Sequence, residues 1–240
     1  NVHFGKKIKD LANLFTNHPL LAGADIIILQ EIEHHLLEGK SRTEILADVL
    51  GYHAVYAPAE LLFQKGSHGL AVLSRFPISS FKIIRLRQFE LLFRRRTRIA
   101  LIVSIVIANK TIKVCNIHAD LPLGIKDRIA QLQPVVKTIS KDSDMPIILG
   151  GDLNTAPLVW AKRGIPLFYQ NQRRKVRQFF GEYGFIPASE QRGYTHQAPI
   201  WRMNLDSIFV KNFQIIDFGV ERTIKLSDHK PLWARIRLDS

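Results

Sequence analysis

The chain has 240 residues, 46% hydrophobic and 23% charged, which is enough apolar material for a folded core and excludes a disordered, collagen-like or low-complexity protein. Thirty-four Lys and Arg against 21 Asp and Glu leave +13, a field that draws polyanions: nucleic acid, anionic lipid surfaces or phosphorylated small molecules. The lone Cys115 excludes an intramolecular disulfide and a CxxC centre and reads as a buried small hydrophobe.

In chain order, helical spacing over Lys6–Phe15 precedes a strand at Asp25–Leu29, and helical spacing over Ser41–Leu50 precedes a strand at Leu70–Ser74. Two β-branched runs, Ile99–Ile107 and Thr111–Ile117, are separated by Asn109-Lys110. That turn predicts an antiparallel hairpin and argues against a purely parallel Rossmann-type sheet. A helix at Ile125–Ile139, a strand at Pro146–Leu149, a helix at Arg173–Tyr183 and strands at Leu205–Val210 and Leu232–Leu238 complete the pattern. No Pro/Gly/Ser linker interrupts it, so residues 1–240 read as one mixed α/β domain.

No fixed-period repeat, GxGxxG or P-loop is present. The longest uncharged apolar stretch, Ile99–Asn109, is about half the length of a membrane span, so a soluble chain without a transmembrane segment is expected. The chain opens on Asn1 and its methionines are Met145 and Met203, so the native start is expected upstream, and cytoplasmic and secreted locations both stay open.

The informative acids fall at or beside apolar strands. Glu31 follows ADIIILQ, Asp152 and Asn154 follow PIILGG, Asp206 lies inside NLDSIFV, and Asp228-His229 precede PLWARIRL. A carboxylate there is costly unless a cation or a hydrogen-bond network compensates it. His118 ends the run VCNIHAD in the same manner. Strand ends converging on one sheet edge would gather hard oxygen ligands and imidazoles, a set suited to Mg²⁺ or Mn²⁺ and not to a thiolate zinc. Singly, each has a structural alternative: Glu31 as a helix-start carboxylate, Asp152 as a turn former after Gly150-Gly151, Asp206 as a satisfied core acid, His118 as a core histidine. Their recurrence carries the functional reading.

Other features read more plainly. His34-His35 beside Glu33 fit a loop or surface, because adjacent residues rarely ligate one ion together. Trp201 and Arg202 fit a groove border or a packed loop anchor. Arginines crowd at Arg85, Arg87, Arg94-Arg95-Arg96 and Arg98, and again at Arg173-Arg174-Lys175 and Arg177; such runs are solvated faces or polyanion contacts. Leu91-Leu92-Phe93, between arginines, is a short apolar candidate for membrane docking.

The ordered set ADIIILQEI, GLAVLSRFPI, CNIHAD, PIILGGDLNTAP, LDSIFV and SDHKPL resembles the endonuclease/exonuclease/phosphatase superfamily, which includes deoxyribonuclease-I-like and exonuclease-III-like enzymes. GDLN followed by LDSIFV and SDHKP is the most specific part, and the match spans nearly the whole chain. The opening NVHFG is similar to the NIHHG motif of small bacterial members, and Arg128 and Gln131 sit where those members carry an R-x-x-Q helix. Departures are visible. Relatives place a strand before the residue matching Asn1, so either upstream residues that carry it were lost or the first sheet strand is missing. Asn204 and Ser207 replace a common Arg and Tyr, and motifs typical of abasic-site endonucleases are not matched, so DNA repair is not implied.

The resemblance implies an α/β (α+β) four-layer sandwich, two packed mixed β-sheets flanked by helices, with the site at one end. It implies metal-dependent phosphoester hydrolysis: Mg²⁺ (or Mn²⁺) on Glu31 with Asp228 and Asn1, His118, Asp152, Asn154, Asp206 and His229 as catalytic residues, and Arg96 and Arg98 as substrate contacts. A phosphodiesterase acting on nucleic acid, a nuclease, ranks first. A phospholipid or phosphoinositide headgroup phosphodiesterase or phosphatase at an anionic membrane surface ranks second. A non-catalytic polyanion-binding module ranks third, because every core motif residue is present. A monomer is expected.

Overall fold

Residues Gly69–Leu73 (GLAVL) and Ile99–Val103 (IALIV) are apolar at successive positions, so the strands that carry them must be covered on both faces. The computed structural model, which describes residues 1–62, 66–92, 96–161, 163, 165–188, 193–199 and 201–238, supplies that cover with four layers. Helix α1 (Ile8–Asn17) leads to β1 (Ile26–His35), a short 3-10 turn at Leu36–Glu38, α2 (Arg42–Leu50), β2 (His53–Leu62), β3 (Gly66–Ser74) and β4 (Ile78–Arg85). Then follow β5 (Ile99–Ile107), β6 (Lys110–His118), α3 (Ile125–Ile139), β7 (Ile147–Asp152), the hairpin β8 (Leu158–Ala161) and β9 (Ile165–Tyr169), and α4 (Gln172–Gly181). Short strands β10 (Ile186–Pro187), β11 (His196–Gln197) and β12 (Arg202–Met203) precede β13 (Asp206–Lys211), β14 (Phe213–Val220) and β15 (Leu232–Leu238).

The first sheet has the order β1-β3-β2 and the second β10-β13-β7-β6-β5-β4, antiparallel throughout except for the parallel β6–β7 pair. Side-chain alternation builds the layers. On β3, Ala71 and Leu73 pack with Leu11 of α1 and Leu46 of α2, while Leu70 and Val72 face Leu101, Val103 and Val114 of the second sheet. On β5 and β6, Ala100, Ile102, Cys115 and Ile117 turn the other way, onto Leu132 and Val136 of α3 and Phe180 of α4. Cys115 is fully buried there.

Of the elements expected from the sequence, Ile99–Ile107, Ile125–Ile139 and Leu232–Leu238 match to the residue. Asn109 marks the predicted hairpin, with positive φ at Ala108 (47°) and Asn109 (62°), the geometry a two-residue hairpin turn needs. Strands β2, β4 and β14 carry no clean alternation, and much of their surface is exposed, so the pattern missed them. Strand β1 runs six residues past the expected Leu29, because a bulge between Gln30 and Ile32 carries it on to His35. Residues 2–4 lie alongside it: the Val2 N–H donates to the Gln30 carbonyl (2.9 Å), and Phe4 forms a parallel bridge with Ile32.

Candidate active site

Three neighbouring strands set the row of groups on the second sheet. The parallel register pairs His118 with Asp152, and the antiparallel register pairs Asp206 with Asp152. Paired residues on adjacent strands project to the same face, so His118, Asp152 and Asp206 stand side by side. Gly151 permits this approach: it has φ +133°, and a Cβ there would lie 2.1 Å from the Ile117 carbonyl oxygen.

Asp152 accepts from the backbone N–H of Asn154 (3.0 Å) and from Asn1 Nδ2 (3.2 Å), and lies 3.4 Å from His118 Nε2 and 3.8 Å from His229 Nε2. Burial holds its carboxyl above the usual range. Asn154 keeps its own place at φ 51° by donating from Nδ2 to the Ala119 carbonyl (2.8 Å). His229 Nδ1 is 2.8 Å from Asp206 Oδ2. Burial pushes the His229 imidazole down, but the Asp206 and Asp152 carboxylates outweigh it and lift it to about 8. Burial likewise pushes Asp206 up, and the charge on His229 outweighs it, leaving Asp206 below the usual carboxylate range.

His118 is set differently. Arg98 Nη1 donates to its Nδ1 (2.9 Å), so the neutral ring carries its proton on Nε2, which points toward Asp152 and lies 4.0 Å from Glu31 Oε1. Burial first, and the Arg98 charge second, hold His118 well below its ordinary value. Arg98 also donates from Nε to Asp120 Oδ1 (3.1 Å), and Gln131 Nε2 donates to Asp120 Oδ2 (2.8 Å). Behind these, the fully buried Arg128 donates to the carbonyls of Asp120, Leu153, Leu121 and Leu123 and to Gln172 Oε1. One guanidinium thus ties together the loops that follow β6 and β7.

The first sheet contributes across a polar clamp. Asn116 of β6 donates to the carbonyls of Leu29 (2.8 Å) and Ala71 (2.9 Å) and accepts from Gln30 Nε2 (2.6 Å). Next to Gln30, Glu31 occupies the bulge at φ 57°. Non-glycine residues avoid that conformation, and the strain clusters at functional positions. Its side chain is only 14% exposed, yet the nearest basic side-chain atoms are Arg96 Nη1 at 3.9 Å and the neutral His118 Nε2 at 4.0 Å. Asp228 accepts from Ser227 Oγ (3.0 Å) and stands between His3 Nδ1 (3.5 Å) and His196 Nε2 (3.6 Å). Its carboxyl is held well below the usual range, chiefly by His196.

This donor set fits a divalent cation. Ligand atoms of Asp152, Asp206 and His229 lie within 4.8 Å of one another, as do those of His196, Asp228 and His229. Glu31 is a largely buried carboxylate with no hydrogen-bond donor at contact distance among the described residues, the situation a cation would relieve.

Of the residues singled out in the sequence, Glu31, His118, Asp152, Asn154, Asp206, Asp228 and His229 form one connected cluster. Asn1 joins it by its amide: Nδ2 faces Asp152, while Oδ1 accepts from the His3 N–H (3.1 Å). Arg96 lies beside Glu31, but Arg98 is buried behind His118, so it positions that ring and is set back from the open side. Arg94, Arg95 and Phe93 lie outside the described residues. His34 and His35 stay apart from the cluster, with His35 bonded to Glu33 (2.6 Å), and Trp201 is exposed. Sequence reasoning missed His3, Asp120, His196 and Thr195, whose Oγ1 accepts from the Asp206 N–H (3.1 Å). Asp120 alone had a signal, two residues beyond His118.

The second sheet carries the row His118, Asp152 and Asp206 at adjoining strand ends, with His229 beside it. The family profile described as "Endonuclease/Exonuclease/phosphatase family" matches residues 1–229, and the chain belongs to that family. It is 29% identical over 232 residues to the uncharacterized protein YbhP of Escherichia coli K12, covering 90% of this chain and 84% of that one. Among solved structures it is similar to the mannosyl-6-phosphatase Bt3783 of Bacteroides thetaiotaomicron (TM-score 0.67, 17% identity, 97% and 91% of the two chains). It is also similar to D. rerio TDP2 complexed with a single-strand DNA product (TM-score 0.69, 15% identity, 99% and 94%).

Proposed function

We propose that the protein is a divalent-metal-dependent phosphoester hydrolase whose reaction runs at the row His118, Asp152, Asp206 and His229. The observation that carries this reading is the Asp206–His229 pair, 2.8 Å apart, with its outer nitrogen turned to Asp152. Glu31, with Asp228 and Asn1 nearby, would hold Mg²⁺ or Mn²⁺, which supplies charge neutralisation at the scissile phosphate and acidifies water. Asp152, lifted by burial and oriented by Asn154 and Asn1, is a better proton acceptor than an ordinary carboxylate and takes the proton of the attacking water. His229 Nε2 donates to a phosphoryl oxygen as charge develops, with Asp206 fixing the ring. His118 brings an Nε2–H donor without bringing a charge. The test is hydrolysis of bis(p-nitrophenyl) phosphate by the full chain with Mg²⁺ or Mn²⁺. Turnover that is abolished by EDTA and in Asp152→Asn supports the reading; full turnover in EDTA overturns it.

Two substrate classes fit, because specificity in such folds lives in loops. Nucleic acid suits the +13 charge and the exposed Arg174, Lys175 and Arg177 on α4. A phospholipid or phosphoinositide headgroup suits a second observation, the apolar side chains exposed on the hairpin that leaves the Asp152–Asn154 loop. Plasmid DNA, single-stranded DNA, RNA, sphingomyelin and phosphoinositides, assayed side by side with metal, separate the two.

A further inference from the structure

Strands β8 and β9 belong to neither main sheet; they pair only with each other. They read LVWA and IPLFY. Their base is fixed next to the candidate active site: Leu158 follows Asn154 by four residues, the Gln170 N–H donates to the Pro157 carbonyl (3.1 Å), and Gln172 Nε2 donates to the Leu158 carbonyl (2.7 Å). Ile165 and Leu167, two apart on one strand, share a face and are 45% and 52% exposed.

The loop that carries Leu91 and Leu92 is fastened to this hairpin. The Leu92 N–H donates to the Arg163 carbonyl (3.3 Å), and the Phe89 ring lies under the guanidinium groups of both Arg163 (5.0 Å) and Arg87 (5.3 Å). Arg163 Nε in turn donates to Asp127 at the start of α3 (2.8 Å). Leu92 is 41% exposed, so two loops distant in sequence present one apolar surface beside the cleft. Exposed cations sit on the segments that hold it: Arg87 on the Leu92 loop, Lys126 next to Asp127 on α3, and Arg174 and Lys175 in the first turn of α4, which follows β9. Apolar side chains standing clear of a basic collar match the two attractions that hold a protein on an anionic bilayer, buried apolar area and attraction to acidic headgroups. A nucleic-acid backbone would use the collar and leave the leucines and isoleucine in water.

We propose that the β8–β9 hairpin, together with Leu92, docks the protein on an anionic lipid surface and presents its cleft to phospholipid headgroups. The proposal rests on the hydrolase reading for the cleft's chemistry, and docking itself is measured without turnover.

The full chain is floated with vesicles of phosphatidylglycerol and phosphatidylcholine, and with phosphatidylcholine alone, alongside Ile165→Ser/Leu167→Ser, Leu92→Ser and Arg174→Glu. Thermal melting verifies that each variant folds, and Leu92→Ser, from the other loop, covers the case in which the hairpin pair does not. The wild type is expected to float with the anionic vesicles and not with phosphatidylcholine, and the double variant to bind on the order of tenfold more weakly. Hydrolysis of soluble bis(p-nitrophenyl) phosphate should stay at the wild-type level in the double variant. A wild type that does not float with anionic vesicles, or apolar-to-serine variants that float as well as it does, overturns the docking proposal. So does a wild type that is dimeric by light scattering and becomes monomeric in the double variant without any vesicle binding, which would assign the patch to a second copy of this chain. Absence of bis(p-nitrophenyl) phosphate turnover in the wild type would instead overturn the hydrolase reading, whatever the vesicles show.

Discussion

The two halves of the candidate site are built to different standards. Asp152, Asp206 and His118 on the second sheet, and His229 in the segment leading into β15, are buried, each held by hydrogen bonds of 2.8–3.2 Å, and the loops after β6 and β7 are tied by Arg128. Glu31, on the bulge of β1, and Asp228, in the segment leading into β15, meet their nearest basic side chains at 3.5–4.0 Å, and the Asp228 and His3 side chains are 41% and 49% exposed. Groups that act on developing charge gain most from being fixed before the reaction. The groups proposed to hold the cation, Glu31 and Asp228, form the more open half.

The largest expected effect tests the fixed half. His229→Ala should lower kcat roughly 10³- to 10⁴-fold with little change in KM, because the lost donor acts in the transition state. A raised KM with kcat unchanged would place His229 in ground-state binding instead. Next comes the support behind it. Arg128→Ala leaves four carbonyls and Gln172 Oε1 without their donor and removes one cation from near the buried carboxylates Asp120 and Asp152. A loss of about 3–5 kcal/mol in urea unfolding is expected; a change below the scatter of the measurement would mean that the loops hold themselves.

Glu31→Gln probes the open half. Mn²⁺ affinity should fall roughly ten- to a hundredfold, while the melting temperature in EDTA stays level or rises, because a partly buried charge without a close partner is removed. A large drop in melting temperature would show that Glu31 serves the fold.

The smallest effect is a pH dependence of stability in EDTA. His229 has its imidazole lifted from 6.5 to about 8 in the folded chain. Its stabilisation is therefore fully present below pH 6.5 and is lost as pH rises through 8, a total of roughly 2 kcal/mol. His229→Gln should flatten that segment of the stability profile; an unchanged slope would break the assignment of the charge to this ring.

Legibility in the sequence divides along the same line. Residues on regular strands were readable, because an acid or histidine at the end of a β-branched run stands out against its apolar neighbours: His118 after VCNI, Asp152 after PIILGG, Asp206 before SIFV. Continuous apolar runs such as Leu70–Leu73 and Ala100–Val103 marked buried strands in the same way, and the strand period then sends their side chains to two faces. Tertiary structure decided what alternation cannot encode. The bulge at Glu31, the turning of His3 and His196 onto Asp228, and the withdrawal of Arg98 behind His118 all depend on partners 20 or more residues away. The joining of Leu92 to the β8–β9 hairpin depends on where the chain crosses itself. A sequence specifies which side chains must be buried or charged through its own periodicity, but which charges meet is set by strand register and sheet packing, and those exist only once the chain has folded.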